Sequence, residues 1–203
     1  MTFADIDARN KAFIFELDNV LFPAKDYDLQ VYYLFASFLE YQEGVPLASE
    51  LVQFMKKVYE NHGSEKIFEK AREVYGFDEK YRENYDRLHR EARLPLKLLL
   101  YQNILTLLQE MVVDRKQIFI VTAGDPLQQL NKIKQIDWHG LEAFLKVYFS
   151  DETLTKPDPS SLLNLMEENQ LLNSDLLLFG ATATDQAFAL AAGIEYLPIS
   201  EFF

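Results

Sequence analysis

The sequence predicts an α/β protein: a parallel-sheet core with a helical block inserted after its first strand. Three observations carry that expectation. A short apolar run, Ala12 to Phe15, ends in two acids, Glu16 and Asp18, as a strand buried on both faces does when it stops at a polar sheet edge. From Leu94 onward, β-branched and aromatic runs alternate with helical segments of ten residues or more, which implies parallel strands joined by right-handed crossovers. Between Asp26 and Arg93 only helical periods occur, without a convincing strand.

The elements follow in order. Phe22-Pro23 breaks the first strand, and Asp26 to Asp28 give a polar entry to a helix. Leu29 to Tyr41 carries Tyr32, Tyr33, Phe35, Ala36 and Leu39 at helical period and stops at Gly44-Val45-Pro46. Leu47 to Asn61 repeats Leu51, Val52, Phe54, Met55, Val58 and Tyr59 at helical spacing and ends on His62-Gly63. A third helix is expected from Ser64 to Tyr75, closed by Gly76, and a fourth, mostly charged, from Asp78 to about Ala92. The aromatic residues of the first two helices have two readings, a private core or a substrate-facing surface.

Leu96 to Met111 reads as a strongly apolar helix and Gln117 to Thr122 as a buried strand. Asp125-Pro126-Leu127-Gln128 offers an N-cap, a proline at the first helical position and a glutamine at N3, a capping-box signature. That helix is expected to run to about Ile136. Then come a strand at Leu145–Phe149, a helix from Asp158-Pro159 to about Gln170, a strand at Leu176–Phe179, a helix from Thr184 to Ala192 and a last strand at Glu195–Ile199.

Composition narrows the function classes. Of 203 residues, 49% are hydrophobic and 26% charged, enough for a sizeable core. A formal charge of −12, with no Lys/Arg run to offset it, repels a phosphate backbone, so nucleic acid is not an expected partner. The absence of cysteine removes disulfides, thiolate metal sites and thiol nucleophiles. Residues 1–11 read as neither a signal nor a transit peptide, and no apolar run nears the ~18 residues of a membrane span. A cytoplasmic protein with no membrane partner is the expectation, and oligomeric state is not written in the sequence.

Four polar constellations follow strand ends: Glu16/Asp18, Thr122-Ala123-Gly124, Lys156-Pro157, and Gly180 to Asp185. Singly, each has a plainer reading. Thr122 caps a strand, Lys156 is a solvated loop lysine, and Asp185 is a first-turn acid favourable to its helix dipole. Glu16 and Asp18 are harder to dismiss, because acids directly after a buried strand are costly without a role. Together the four would converge on one sheet edge, where open α/β folds place ligands.

The arrangement resembles the haloacid dehalogenase-like (HAD) hydrolase superfamily over nearly the whole chain. Phe15-Glu-Leu-Asp-Asn-Val-Leu-Phe-Pro23 looks like its first motif, closest to the Asp-Leu-Asp-Asn-Thr-Leu-Tyr-Pro variant of nucleotidase-like members. Ile120-Val-Thr-Ala-Gly124 matches the second, Lys156-Pro157-Asp158-Pro159 the third, and Phe179 to Asp185 with Ala189 to Ile194 the fourth. The resemblance implies a Rossmann-like HAD core at 1–25 and 94–203 and a four-helix C1-type cap at 26–93, which in the family sets specificity. It also implies a phosphatase of small phosphorylated metabolites, with a carboxylate nucleophile at position 16 and Asp18 as acid/base. Thr122, Ala123 and Lys156 would bind phosphate, and Mg²⁺ would be held by Glu16, Asp18 and Asp185.

Two positions depart from the family pattern. Its nucleophile is aspartate, and here it is Glu16; a metal-ligand aspartate of motif four is here Ala181. One added bond displaces the carboxylate by about 1.5 Å, and a misplacement near 1 Å can cost about 10²-fold in rate. Mg²⁺ needs near-ideal octahedral oxygen ligation and loses a ligand at Ala181. The expectation is a catalytically impaired HAD-like hydrolase; the alternative is a pseudoenzyme that binds a phosphate ligand or a partner without hydrolysis.

Overall fold

The structure, a computed structural model, describes residues 2–152 and 154–203. In chain order its first half comprises strand β1 (Ala12–Phe15), helices α1 (Ala24–Glu43), α2 (Ala48–His62), α3 (Ile67–Tyr75) and α4 (Arg82–Glu91), and the two-residue strand β2 (Leu98–Leu99). Helix α5 (Gln102–Val113), strand β3 (Gln117–Thr122), helix α6 (Pro126–Gln135) and the two-residue strand β4 (Ile136–Asp137) follow. Strand β5 (Leu145–Phe149), helix α7 (Ser160–Asn169), strand β6 (Leu176–Gly180), helix α8 (Ala183–Ala191) and strand β7 (Glu195–Pro198) complete the chain. Two compact units result: Met1–Pro23, Leu99–Gln129 and Ile136–Phe203 form one, Ala24–Leu98 with Leu130–Gln135 the other.

The first unit carries a five-stranded parallel sheet in the order β5-β3-β1-β6-β7. All four residues of β1 are buried, as expected of a strand with a neighbour on each edge and cover on each face. Phe15 pairs with Ile120 on one side and Phe179 on the other. The chain runs outward through β3 and β5, then returns to β6 and β7, so the strand order reverses around β1. That reversal is the switch point at which such sheets form a ligand crevice. Ile14, Phe119, Leu162, Leu165, Leu178 and Phe188 pack in the core of this α/β fold.

The second unit has its own core. Tyr32, Phe35, Leu39, Leu51, Met55, Phe68, Phe77 and Tyr85 are buried together; Tyr32 stacks on Tyr85, and Phe35 meets Phe68, Phe77 and Tyr85 edge-on or tilted. Of the two readings of its aromatic helices, the private core is the one these residues take. The N–H groups of Gly63 and Gly76, both at positive φ, close α2 and α3 onto the carbonyls of Tyr59 and Arg72.

Four boundaries differ most from the sequence reading. Helix α1 begins at Ala24, ahead of the expected polar entry at Asp26 to Asp28. The helix expected from Leu96 begins at Gln102, because the Tyr101 N–H is taken by the Leu21 carbonyl at 2.9 Å and holds the leucine run extended. Here a tertiary bond overrides helix propensity. The third helix starts at Ile67, since Lys66 is left-handed at φ 56°. The segment after Asp78 opens as a 3-10 turn, capped by the Asp78 carboxylate on the Lys80 N–H, before α4 begins.

Candidate functional site

The four constellations meet at the carboxyl edge of the sheet, all within the sheet-bearing unit. Residue 16 follows β1 directly, between the ends of β3 and β6. Thr122 is the last residue of β3, Lys156 lies in the loop before α7, and Asp185 stands in the first turn of α8. The plainer reading of Lys156 as a solvated lysine does not describe it, and Thr122 does more than end its strand. Thr122 is buried, and the Lys156 side chain is only 5% exposed.

Glu16 is the hub. Its Oε1 accepts from the Thr122 hydroxyl at 2.6 Å, and its Oε2 accepts from the Lys156 ammonium in a direct ion pair. Burial pushes the Glu16 carboxyl above its ordinary value, while the Lys156 charge and the Lys156 and Thr122 hydrogen bonds pull it back. Lys156 Nζ also donates to the Val121 carbonyl at 3.2 Å and to Asp185 Oδ1 at 3.3 Å, and it lies over the Phe188 ring. The ammonium therefore has three acceptors for three protons.

Asp185 is set by the entry to α8. Its Oδ2 accepts from the N–H groups of Ala181 and Thr182 at 3.2 and 3.0 Å and from the Thr182 hydroxyl at 2.7 Å. The Thr182 hydroxyl in turn accepts from the Asp185 N–H, a capping box that fixes the helix start. So Asp185 is both a first-turn acid and a partner of Lys156.

Sequence reasoning missed Gln129. It is 4% exposed, and the two protons of its Nε2 are shared among three acceptors, Ala123 O at 2.7 Å, Thr122 Oγ1 at 2.9 Å and Asp18 Oδ2 at 3.2 Å. The Thr122 hydroxyl thus accepts from Gln129 on a lone pair and donates its single proton to Glu16. The only signal in the sequence was position. Gln129 lies one turn into the helix after β3, and helical side chains lean back toward the N-terminus. The Asp125 carboxylate caps that helix through the Leu127 and Gln128 N–H groups.

Do these residues fit the divalent cation implied by the sequence resemblance? No group of three or more His, Asp or Glu side chains among the described residues stands close enough to hold a metal. Both Glu16 oxygens and both Asp185 oxygens already accept hydrogen bonds, and Lys156 places a positive charge between the two carboxylates. Position 181 is an alanine, which has no side-chain oxygen to offer a cation, and its backbone N–H is bonded to Asp185 Oδ2. The residues present do not fit Mg²⁺.

The chain was compared with known proteins. A family model described as haloacid dehalogenase-like hydrolase matches residues 13–199. Among solved structures, a protein from Thermotoga maritima assigned as a β-phosphoglucomutase superposes with a TM-score of 0.60 at 20% identity, over 91% of this chain and 82% of that one. A HAD hydrolase of family IA, variant 3, from Entamoeba histolytica gives 0.59 at 19% identity, over 93% and 83%. A protein from Lactobacillus plantarum assigned as a phosphoglycolate phosphatase gives 0.53 at 19%, over 94% and 86%. A comparison with curated proteins gives no match.

Proposed function

The chain belongs to the haloacid dehalogenase-like hydrolases, and from that premise we propose that it derives from phosphatases of small phosphorylated metabolites and has lost phosphoryl transfer. One observation carries this reading: Glu16, at the nucleophile's position, has both carboxylate oxygens engaged, one by Thr122 and one by Lys156. An in-line nucleophile needs an unencumbered oxygen at a defined distance from phosphorus. The carboxylate here is locked into an ion pair.

The missing acid at position 181 acts in the same direction. Without a cation on the phosphoryl oxygens, the charge that builds in the transition state has Lys156 as its main counterpart, and that ammonium is already shared by two carboxylates. Asp18 stands in the acid/base position, with Oδ2 bonded to Gln129. Structural relatives assigned as a β-phosphoglucomutase and a phosphoglycolate phosphatase support small phosphorylated compounds as the ancestral substrate class. We read the helical unit as the family's inserted cap.

A second reading has its own observation. Thr122 and Lys156 remain a buried hydroxyl–ammonium pair, so the residual function would be to hold an oxyanion, such as phosphate or a phosphorylated metabolite, without cleaving it. The test of the main reading is turnover of p-nitrophenyl phosphate and a panel of sugar and nucleoside phosphates with Mg²⁺. The expected result is no release of phosphate above a buffer control. Turnover by the native chain that vanishes in Asp18→Asn overturns it.

A further inference from the structure

The groups around Glu16 are those that would hold an external oxyanion: a hydroxyl donor at 2.6 Å and an ammonium in direct contact. All are withdrawn from solvent, with Glu16, Lys156 and Asp185 side chains 11%, 5% and 6% exposed. The donors are also fully used. Lys156 spends its three protons on Glu16, Asp185 and Val121. Thr122 has one proton and gives it to Glu16, while a lone pair accepts from Gln129.

Resting on the reading of Thr122 and Lys156 as an anion cradle, and departing from it on what fills that cradle in the native chain, we infer that Glu16 is the cradle's own occupant. Its carboxylate takes the place of an external oxyanion, so the native chain keeps inorganic phosphate out, and removing or neutralising the side chain opens the site. Length is the reason. An aspartate at position 16 would end about 1.5 Å short, whereas the extra methylene of glutamate carries the carboxylate onto the hydroxyl and the ammonium. Charge reinforces exclusion. A phosphate entering the native site meets the carboxylates of Glu16 and Asp185, and no N–H of Lys156 is left to receive it. Deleting Glu16 removes one of these negative charges and returns two donors, one from Lys156 and one from Thr122.

The test is thermal unfolding of four proteins, the native chain, Glu16→Ala, Lys156→Ala and the double variant, in sodium phosphate and in sodium chloride of equal ionic strength. The native midpoint should be the same in both salts. Glu16→Ala should rise by about 3–6 °C in phosphate at roughly tenfold its dissociation constant, and the double variant should lose that rise. A native chain that gains as much from phosphate as Glu16→Ala does, with the gain lost in Lys156→Ala, overturns the occupancy inference and leaves the cradle standing. No gain in either protein overturns both. Should Glu16→Ala fail to fold in chloride and in phosphate, Glu16→Gln decides in its place: a phosphate-specific rise supports the inference, and a folded variant indifferent to phosphate overturns it.

Discussion

Gly180 and Asp185 approach so closely that a β-carbon on the glycine would lie 2.4 Å from Asp185 Cβ, and 2.9 Å from Tyr196 Cε2. The last residue of β6 is thus bare because the carboxylate of α8 folds back over it. Gly180→Ala should push Asp185 off Lys156 and lower stability by about 1–3 kcal/mol, the usual cost of overpacking. Urea denaturation checks this. A variant as stable as the native chain would show that the start of α8 shifts without resistance.

Lys156 neutralises two buried carboxylates, Glu16 and Asp185. Replacing it with methionine keeps the bulk and leaves both acids uncompensated, at an expected cost of about 3–5 kcal/mol. Glu16→Gln in the same chain should recover part of that loss, because one stranded charge is then gone. The double-mutant cycle, read by urea denaturation, measures the coupling. Strict additivity would contradict the ion pair.

Thr122→Val should cost about 1–3 kcal/mol, since it takes the hydroxyl donor away from a buried Glu16 oxygen and removes one of the three acceptors of the Gln129 amide. Thr122→Ser, which keeps the hydroxyl, should lose markedly less in the same denaturation experiment. Equal losses would assign the effect to the methyl group instead.

His89 makes the helical unit sensitive to acid. Its ring lies among Tyr27, Tyr32 and Tyr85, and burial, reinforced by the Lys132 charge, lowers its pKa to about 4. Asp28, with Oδ1 3.9 Å from Nδ1, acts the other way. Because the unfolded state takes up the proton first, near pH 6.5, the contribution of neutral His89 is complete above that value and falls away as the pH drops toward 4. The expected loss is about 2–3 kcal/mol. His89→Gln should show a correspondingly flatter stability profile between pH 7 and 4.5, and an unchanged slope would rule the mechanism out.

The pair Glu16→Asp and Ala181→Asp should together yield Mg²⁺-dependent release of phosphate from p-nitrophenyl phosphate where the native chain shows none. Each change alone should do little, since one shortens the carboxylate and the other adds an acid ligand, and neither does both. A folded double variant without activity would mean that the pocket has diverged beyond these two positions.

Much of this architecture is legible in the sequence because it rests on local patterns. Ala12–Phe15 and Ile118–Val121 are short β-branched and aromatic runs buried on both faces, a composition and length that favour a strand over a helix. Asp125-Pro126 marks a helix start by cap chemistry that needs no tertiary partner. The start of α5 was not legible, because it depends on a hydrogen bond from Tyr101 to Leu21, eighty positions earlier in the chain. The same distinction divides the site. Glu16, Asp18, Thr122, Lys156 and Asp185 stand out as polar residues at strand ends. Gln129 does not, since its burial is decided by neighbours that only the folded sheet edge supplies. Nor did the sequence indicate that the three protons of Lys156 would all be spent inside the protein.

The separation between Glu16 and Lys156, 140 positions, sets a clock on the birth of the protein. A ribosome adding roughly 5–20 residues per second makes the lysine about 7–28 s after the glutamate. Throughout that interval β1 lacks β6, the neighbour that would close its second edge, and the Glu16 carboxylate has no cation with which to leave water. A nascent chain can pair β1 with β3 early, yet it cannot seal this edge until translation has passed residue 180.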